Sequence, residues 1–143
     1  MTLYNAEILR LAAEMPFAER LADPMGSSEK RSPVCGSRVT VDVDLDAEGR
    51  VGTVGRLVRA CALGQASSSL LASAAVGRTP GELAEARDEL AAWLAGGGDA
   101  PGWPGLVVFE PARAHAARHA SIRLAFEAAA EAAERAAART VSA

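Results

Sequence analysis

Cysteine, histidine and aromatic residues are scarce in this sequence, which has two cysteines, two histidines and 4% aromatic residues over 143 positions. No apolar run approaches the ~18 residues of a membrane span. Residues 1–7 also lack the basic start and apolar core of a cleaved signal. We therefore expect a cytoplasmic protein with no membrane partner. Two cysteines in that compartment normally stay reduced, so a structural disulfide is not expected.

An excess of basic charge is also absent, because 15 lysines and arginines stand against 18 acidic residues and give a net charge of −3. This balance offers no electrostatic reason to expect a nucleic-acid partner. The glycines Gly52, Gly55 and Gly64 match no phosphate-binding pattern. The length predicts a single domain over residues 1–143, large enough for a real core.

Alternating apolar residues predict a β-hairpin in the middle of the chain. Valines and a leucine alternate with polar residues over 38–46, residues 46–49 supply turn chemistry, and residues 51–60 return. Asp42 and Asp44 occupy the alternate positions, so we expect them on a solvated face of the strand.

Helical patterns flank this hairpin. Residues 3–15 and 119–139 have helical spacing, and a third helix should run from near Cys61 to Val76. A fourth begins at a capping box in which Thr79 caps and Glu82 reaches back. Residues 16–34 and 99–117 are expected to be connections. This order predicts an α+β domain, with helices packed on one face of a small, hairpin-based antiparallel sheet.

The two cysteines lie at the outer ends of the predicted hairpin. Cys35 is about as far before the turn as Cys61 is after it, so antiparallel pairing should bring them to the same end. Cys61 is expected at a helix start, where the helix dipole stabilises a thiolate. Gly36 lets the backbone approach a bound atom closely. This arrangement suits a soft metal or a redox site, although both residues could equally be small buried apolar side chains.

Further candidates come from histidine and serine. His115 and His119 are four residues apart and would share a helix face, but nearby arginines would repel a cation. Both could also be ordinary surface or capping residues. The consecutive serines Ser67, Ser68 and Ser69 have no base at readable distance. Helix-face packing or local back-bonding explains them better than nucleophilic catalysis.

Two segments resemble the iron–sulfur cluster assembly scaffolds of the IscU/NifU N-terminal family. The first is the Cys-Gly-Ser sequence at 35–37 leading into an alternating strand, and the second runs from Ala60 to Leu70 with its Ala-Ser-Ser-Ser run. The family has a Cys-Gly-Asp loop, a second cysteine before the serine run, and a His-Cys-Ser site before the last helix. His119, Ala120 and Ser121 stand at that third site. A shift of one residue would put Ser121 rather than Ala120 in place of its cysteine.

The resemblance implies a SufE/NifU-like fold and a non-enzymatic scaffold or carrier. It would transiently bind a labile [2Fe–2S] cluster or Zn²⁺ through Cys35, Cys61 and His119, with Ser37 as an additional candidate ligand. A cysteine desulfurase and cluster-accepting proteins are the implied partners. Because Ser37 replaces the family's aspartate and Ala120 its third cysteine, two alternatives stay open. One is a member that holds zinc or binds the assembly machinery without building clusters, and the other is a thiol-based enzyme using Cys61.

Overall fold

The computed structural model describes residues 5–14, 17, 19–33 and 36–142, with the side chains of 140–142 left out. In chain order its elements are α1 (Ala6–Ala13), β1 (Gly26–Arg31), β2 (Arg38–Leu45), β3 (Val51–Arg59), α2 (Ala62–Ala75), α3 (Pro80–Leu94), two 3₁₀ segments (Leu106–Ala114 and Ala116–Arg118) and α4 (His119–Ser142). Among these residues there is no helix with the length and apolar character that a membrane crossing requires.

The sheet has three antiparallel strands in the order β1-β2-β3. The predicted hairpin is confirmed, and its register pairs Arg38 with Arg59 at one end and Leu45 with Val51 at the other. The prediction that residues 16–34 form only a loop is wrong, because β1 lies within them. Strand β1 has no apolar alternation, since its inward-facing positions hold Gly26, Ser28 and Lys30.

Helices cover one face of this sheet, as the α+β prediction required. Helix α4 lies across β1 and β2, α2 contacts β3 and α4, α1 packs on α2, and α3 packs on α4. The inward residues Val39, Val41, Val43 and Val54 are buried beneath these helices. Alanines on the buried side of α4 allow a close approach, and a Cβ on Gly26 would lie only 1.9 Å from the Ala132 carbonyl oxygen. Gly26 therefore fits where any larger residue would clash.

The expectation of a solvated aspartate face is wrong for Asp42, whose side chain is fully buried. The chain around Arg20 crosses the outer face of the sheet, and Asp42 accepts hydrogen bonds from Arg20 Nε at 2.9 Å, Ser27 Oγ at 2.6 Å and Leu21 N at 3.0 Å. Burial alone would raise the pKa of Asp42, but these hydrogen bonds lower it below its usual range. Asp44 likewise accepts a hydrogen bond from Met25 N at 2.7 Å.

Local sequence signals place the starts of α3 and α4 correctly, whereas α1 is shorter than the predicted 3–15, with Asn5 as its N-cap and Glu14 as its C-cap. Thr79 and Glu82 form the predicted capping box of α3, and helix α4 begins at His119 as expected. The connection over 99–117 is more regular than predicted, because its apolar residues enter a 3₁₀ segment. Leu106 and Phe109 are buried there at a spacing of three, which matches the 3₁₀ repeat.

Candidate metal centre

Cys61 lies at the start of α2, as the sequence predicted. It is the N-cap residue, is half-buried, and makes no capping hydrogen bond with its side chain. Its carbonyl oxygen accepts the hydrogen bond of Gln65 N at 2.9 Å. Cys61 thus lies at the N-terminal end of a 14-residue helix. The helix dipole is positive at that end and favours nearby negative charge.

Cys35 lies outside the described residues, so its predicted closeness to Cys61, with Cα atoms within about 7 Å, stays a prediction. The residues around it are described. Ser32 N donates to Ser37 O at 2.9 Å and Gly36 N donates to Ser32 O at 3.2 Å. Gly36 has a φ of +72°, in the left-handed region that favours glycine. These bonds hold Ser32 and Ser37 together at the end of the sheet where Arg38 pairs with Arg59.

Ser37 and Ser121 bring two further elements to this end of the sheet. Their hydroxyl oxygens are 3.5 Å apart and both residues are buried. A Cβ on Gly64 would lie 3.3 Å from Ser121 O, so the first turns of α2 and α4 are in close contact. Ser121, rather than Ala120, therefore faces Ser37. Which of Ala120 and Ser121 corresponds to the family's third cysteine stays a prediction.

His119 is tied to the 3₁₀ segment before it. Its Nε2 lies 3.0 Å from Ala112 O and 3.1 Å from Arg113 O. Both carbonyl oxygens can only accept, so Nε2 carries a proton and only Nδ1 remains for a metal. The ring also lines a cavity of about 240 Å³ beside Leu94 at the end of α3. His115 is exposed between the 3₁₀ segments.

The predicted ligand set of Cys35, Cys61 and His119 stays a prediction. The part of the chain that the structure describes contains no group of three His, Cys, Asp or Glu side chains able to hold a metal ion. Cys35 is not in that part, so this observation does not test the set.

The serine run connects α2 to its neighbours. Ser67 Oγ donates to Ile122 O of α4 at 2.5 Å, and Ser68 Oγ accepts from Arg56 Nη1 of β3 at 2.6 Å. Ser69 donates to the Glu14 carbonyl oxygen just after α1. The prediction of helix-face packing is confirmed. The three hydroxyls bond to neighbouring elements rather than to the backbone of α2 itself, so the alternative of local back-bonding is wrong for them. Burial also lowers the pKa of Arg56.

No family model and no curated protein matches the sequence, but solved structures do. The crystal structure of a nitrogen-fixing NifU-like protein (N-terminal) from Brucella abortus is 40% identical, covers 95% of both chains and superposes with a TM-score of 0.88. A protein from Fervidobacterium islandicum AW-1, described as an iron–sulfur cluster assembly scaffold for the SUF system, is 19% identical. It covers 92% of this chain and 96% of its own, with a TM-score of 0.84, and shows the shared fold.

A three-stranded antiparallel sheet covered by helices is thus the fold that this chain shares with both solved structures. At 40% identity over nearly the full length, the chain belongs to the NifU-like N-terminal family. The resemblance inferred from the Cys-Gly-Ser loop and the serine run is confirmed.

Proposed function

We propose that this protein is a non-enzymatic scaffold or carrier in iron–sulfur cluster assembly. Its cargo is a labile [2Fe–2S] cluster or the corresponding iron or zinc ion. The observation that carries the proposal is the position of Cys61 at the start of α2, in a chain of the NifU-like family. Such a role, which we place in the cytoplasm, requires two kinds of partner. A cysteine desulfurase supplies the sulfur, and cluster-accepting proteins receive the cluster.

The proposed ligands are the thiolates of Cys35 and Cys61, because soft thiolates suit iron–sulfur clusters and zinc. His119 is the third candidate and would have to bind through Nδ1, since Nε2 faces two carbonyl oxygens. Ser37 and Ser121 add two hydroxyl groups that contact each other, and a hydroxyl oxygen is a harder donor than a thiolate. A site with two thiolates and an open position should hold its cargo weakly, which suits release to an acceptor.

The metal content of freshly purified protein tests the ligand proposal. We expect iron or zinc in the anaerobically purified wild type, and its loss in both Cys35→Ser and Cys61→Ser. His119→Ala should reduce metal retention, while His115→Ala serves as the matched control and should retain it. Equal retention in both histidine variants would remove His119 from the ligand set. Metal content at the wild-type level in both cysteine variants would refute the site.

A second candidate function follows from the contact between Ser37 and Ser121. Ser37 replaces the family's aspartate, Ala120 or Ser121 replaces its third cysteine, and the two serines contact each other instead of supplying a thiolate. This favours a member that holds zinc, or binds the assembly machinery, without building clusters. Zinc bound at one ion per chain, together with no visible absorption after anaerobic incubation with ferrous iron and sulfide, would select this alternative.

A further inference from the structure

A row of three arginines crosses the outer face of the sheet at the end nearest the candidate metal centre. The register pairs Arg31 of β1 with Arg38 of β2, and Arg38 with Arg59 of β3. Adjacent strands are about 4.8 Å apart, so the outermost Cα atoms of the row are separated by roughly 10 Å. We call Arg31, Arg38 and Arg59 the arginine row.

The arginine row lines an open cleft of about 470 Å³ together with Ser32, Pro33 and Gly36. The side chains of Arg31 and Arg38 are 65% and 37% exposed. Glu29 pairs with both of them, at 3.2 Å to Arg31 Nε and 3.6 Å to Arg38 Nε. One carboxylate is thus shared by two of three guanidinium groups, so the cleft carries net positive charge on a chain whose net charge is −3.

The donors available in this cleft identify the ligand chemistry. The amides of Ser32 and Gly36 already donate to Ser37 O and Ser32 O, so they do not form the ring of free backbone N–H groups that typically cradles a phosphate. The guanidinium groups of the arginine row remain as donors. Each planar guanidinium can bind one carboxylate through two parallel N–H···O hydrogen bonds. Leu57 lies two residues from Arg59 along β3, on the same face of the sheet. It is 41% exposed and provides an apolar contact beside the charges.

We propose that the arginine row is a docking site for an acidic segment of a partner protein. A segment with two or more carboxylates spread over roughly 10 Å matches the length of the row, whereas one small anion would reach only part of it. The sequence places Arg38 three residues after Cys35 and Arg59 two residues before Cys61. A partner docked on the row would therefore lie beside the residues that we propose as ligands.

Binding of fluorescein-labelled hexaglutamate, followed by fluorescence anisotropy at low salt, tests this proposal. The wild type should bind the probe, should not bind labelled hexaglutamine, and should lose affinity as salt screens the charges. The triple variant Arg31→Gln/Arg38→Gln/Arg59→Gln should weaken binding by about tenfold or more, at a few-fold per exposed pair. Arg50→Gln is the matched control, because Arg50 lies in the turn at the opposite end of the sheet.

Two results would overturn the proposal. If hexaglutamate does not bind, or binds the triple variant as well as the wild type, the arginine row is not a docking site. If free propane-1,2,3-tricarboxylate binds as tightly as the peptide and with the same dependence on the arginines, the site takes a small anion instead of a protein segment. The assay uses chelator-treated protein, so it succeeds or fails independently of the metal proposal. Circular dichroism of the triple variant checks that it is folded.

Discussion

Replacing Gly26 with alanine tests the close packing of the last helix on the sheet. The added methyl group would lie 1.9 Å from Ala132 O and 2.6 Å from Ala136 N, both backbone atoms of α4. Side-chain rotation cannot relieve such contacts, so α4 and β1 must separate. Overpacking of a core typically lowers the free energy of unfolding by about 1–3 kcal/mol. Because the clash here is with backbone atoms, we expect a loss at the upper end of this range, about 3 kcal/mol.

Gly52→Ala is the matched control, because Gly52 is also in a strand but its added Cβ would find no atom closer than 3.6 Å. Thermal unfolding followed by circular dichroism is the assay. At 2–4 °C per kcal/mol for a chain near this size, Gly26→Ala should lower Tm by about 10 °C, while Gly52→Ala should change it by a few degrees at most. Equal Tm values for the two variants would refute the packing of α4 on β1.

Three further predictions concern the outer face, the serine run and the third ligand position. Asp42 has a lowered pKa in the folded state, so its contribution to stability is present above its unfolded pKa of about 3.9 and is lost as pH falls through the folded value. Asp42→Asn should therefore destabilise the protein at pH 7 by about 1–3 kcal/mol and flatten its acid unfolding profile, and an unchanged profile would contradict the buried contacts. Ser67→Ala should cost about 1 kcal/mol in chemical denaturation, because it removes the hydrogen bond that Ser67 donates to the Ile122 carbonyl oxygen of α4, whereas the exposed Ser73→Ala should cost less. Ser121→Cys should increase zinc affinity in a competition titration more than Ala120→Cys does, because Ser121 faces Ser37, and the reverse order would show that Ala120 occupies the third ligand position.

Most of the helices and the β2–β3 hairpin could be predicted because their signals are local. Thr79 with Glu82 marks a helix start, and the alternating valines mark a buried strand face. Strand β1 could not be predicted in this way. Its inward residues meet alanines and Glu131 of α4, with Ser28 Oγ 3.0 Å and Lys30 Nζ 2.7 Å from that carboxylate. A strand stabilised by small and charged residues has no apolar period.

The candidate site was predictable where it depends on short motifs and not where it depends on helix phase. Cys61 and the serine run could be placed from the sequence alone. The side chain that α4 directs to Ser37 could not, because one residue along a helix turns a side chain by about 100°. Two such steps, about 200°, separate Ser121, which contacts Ser37, from His119, whose ring contacts the preceding 3₁₀ segment. The burial of Asp42 could not be predicted either, because the segment that covers it lies far from it in the sequence.

Anaerobic incubation with ferrous iron and sulfide, followed by desalting, tests the central claim most directly. The measurement is iron and acid-labile sulfide per chain together with the visible spectrum. We predict about two irons and two sulfides per chain with sulfur-to-iron charge-transfer absorption in the wild type, and loss of both in Cys61→Ser. Wild-type protein that emerges without iron or sulfide, or a Cys61→Ser variant that holds the same cluster, would contradict the proposed scaffold function.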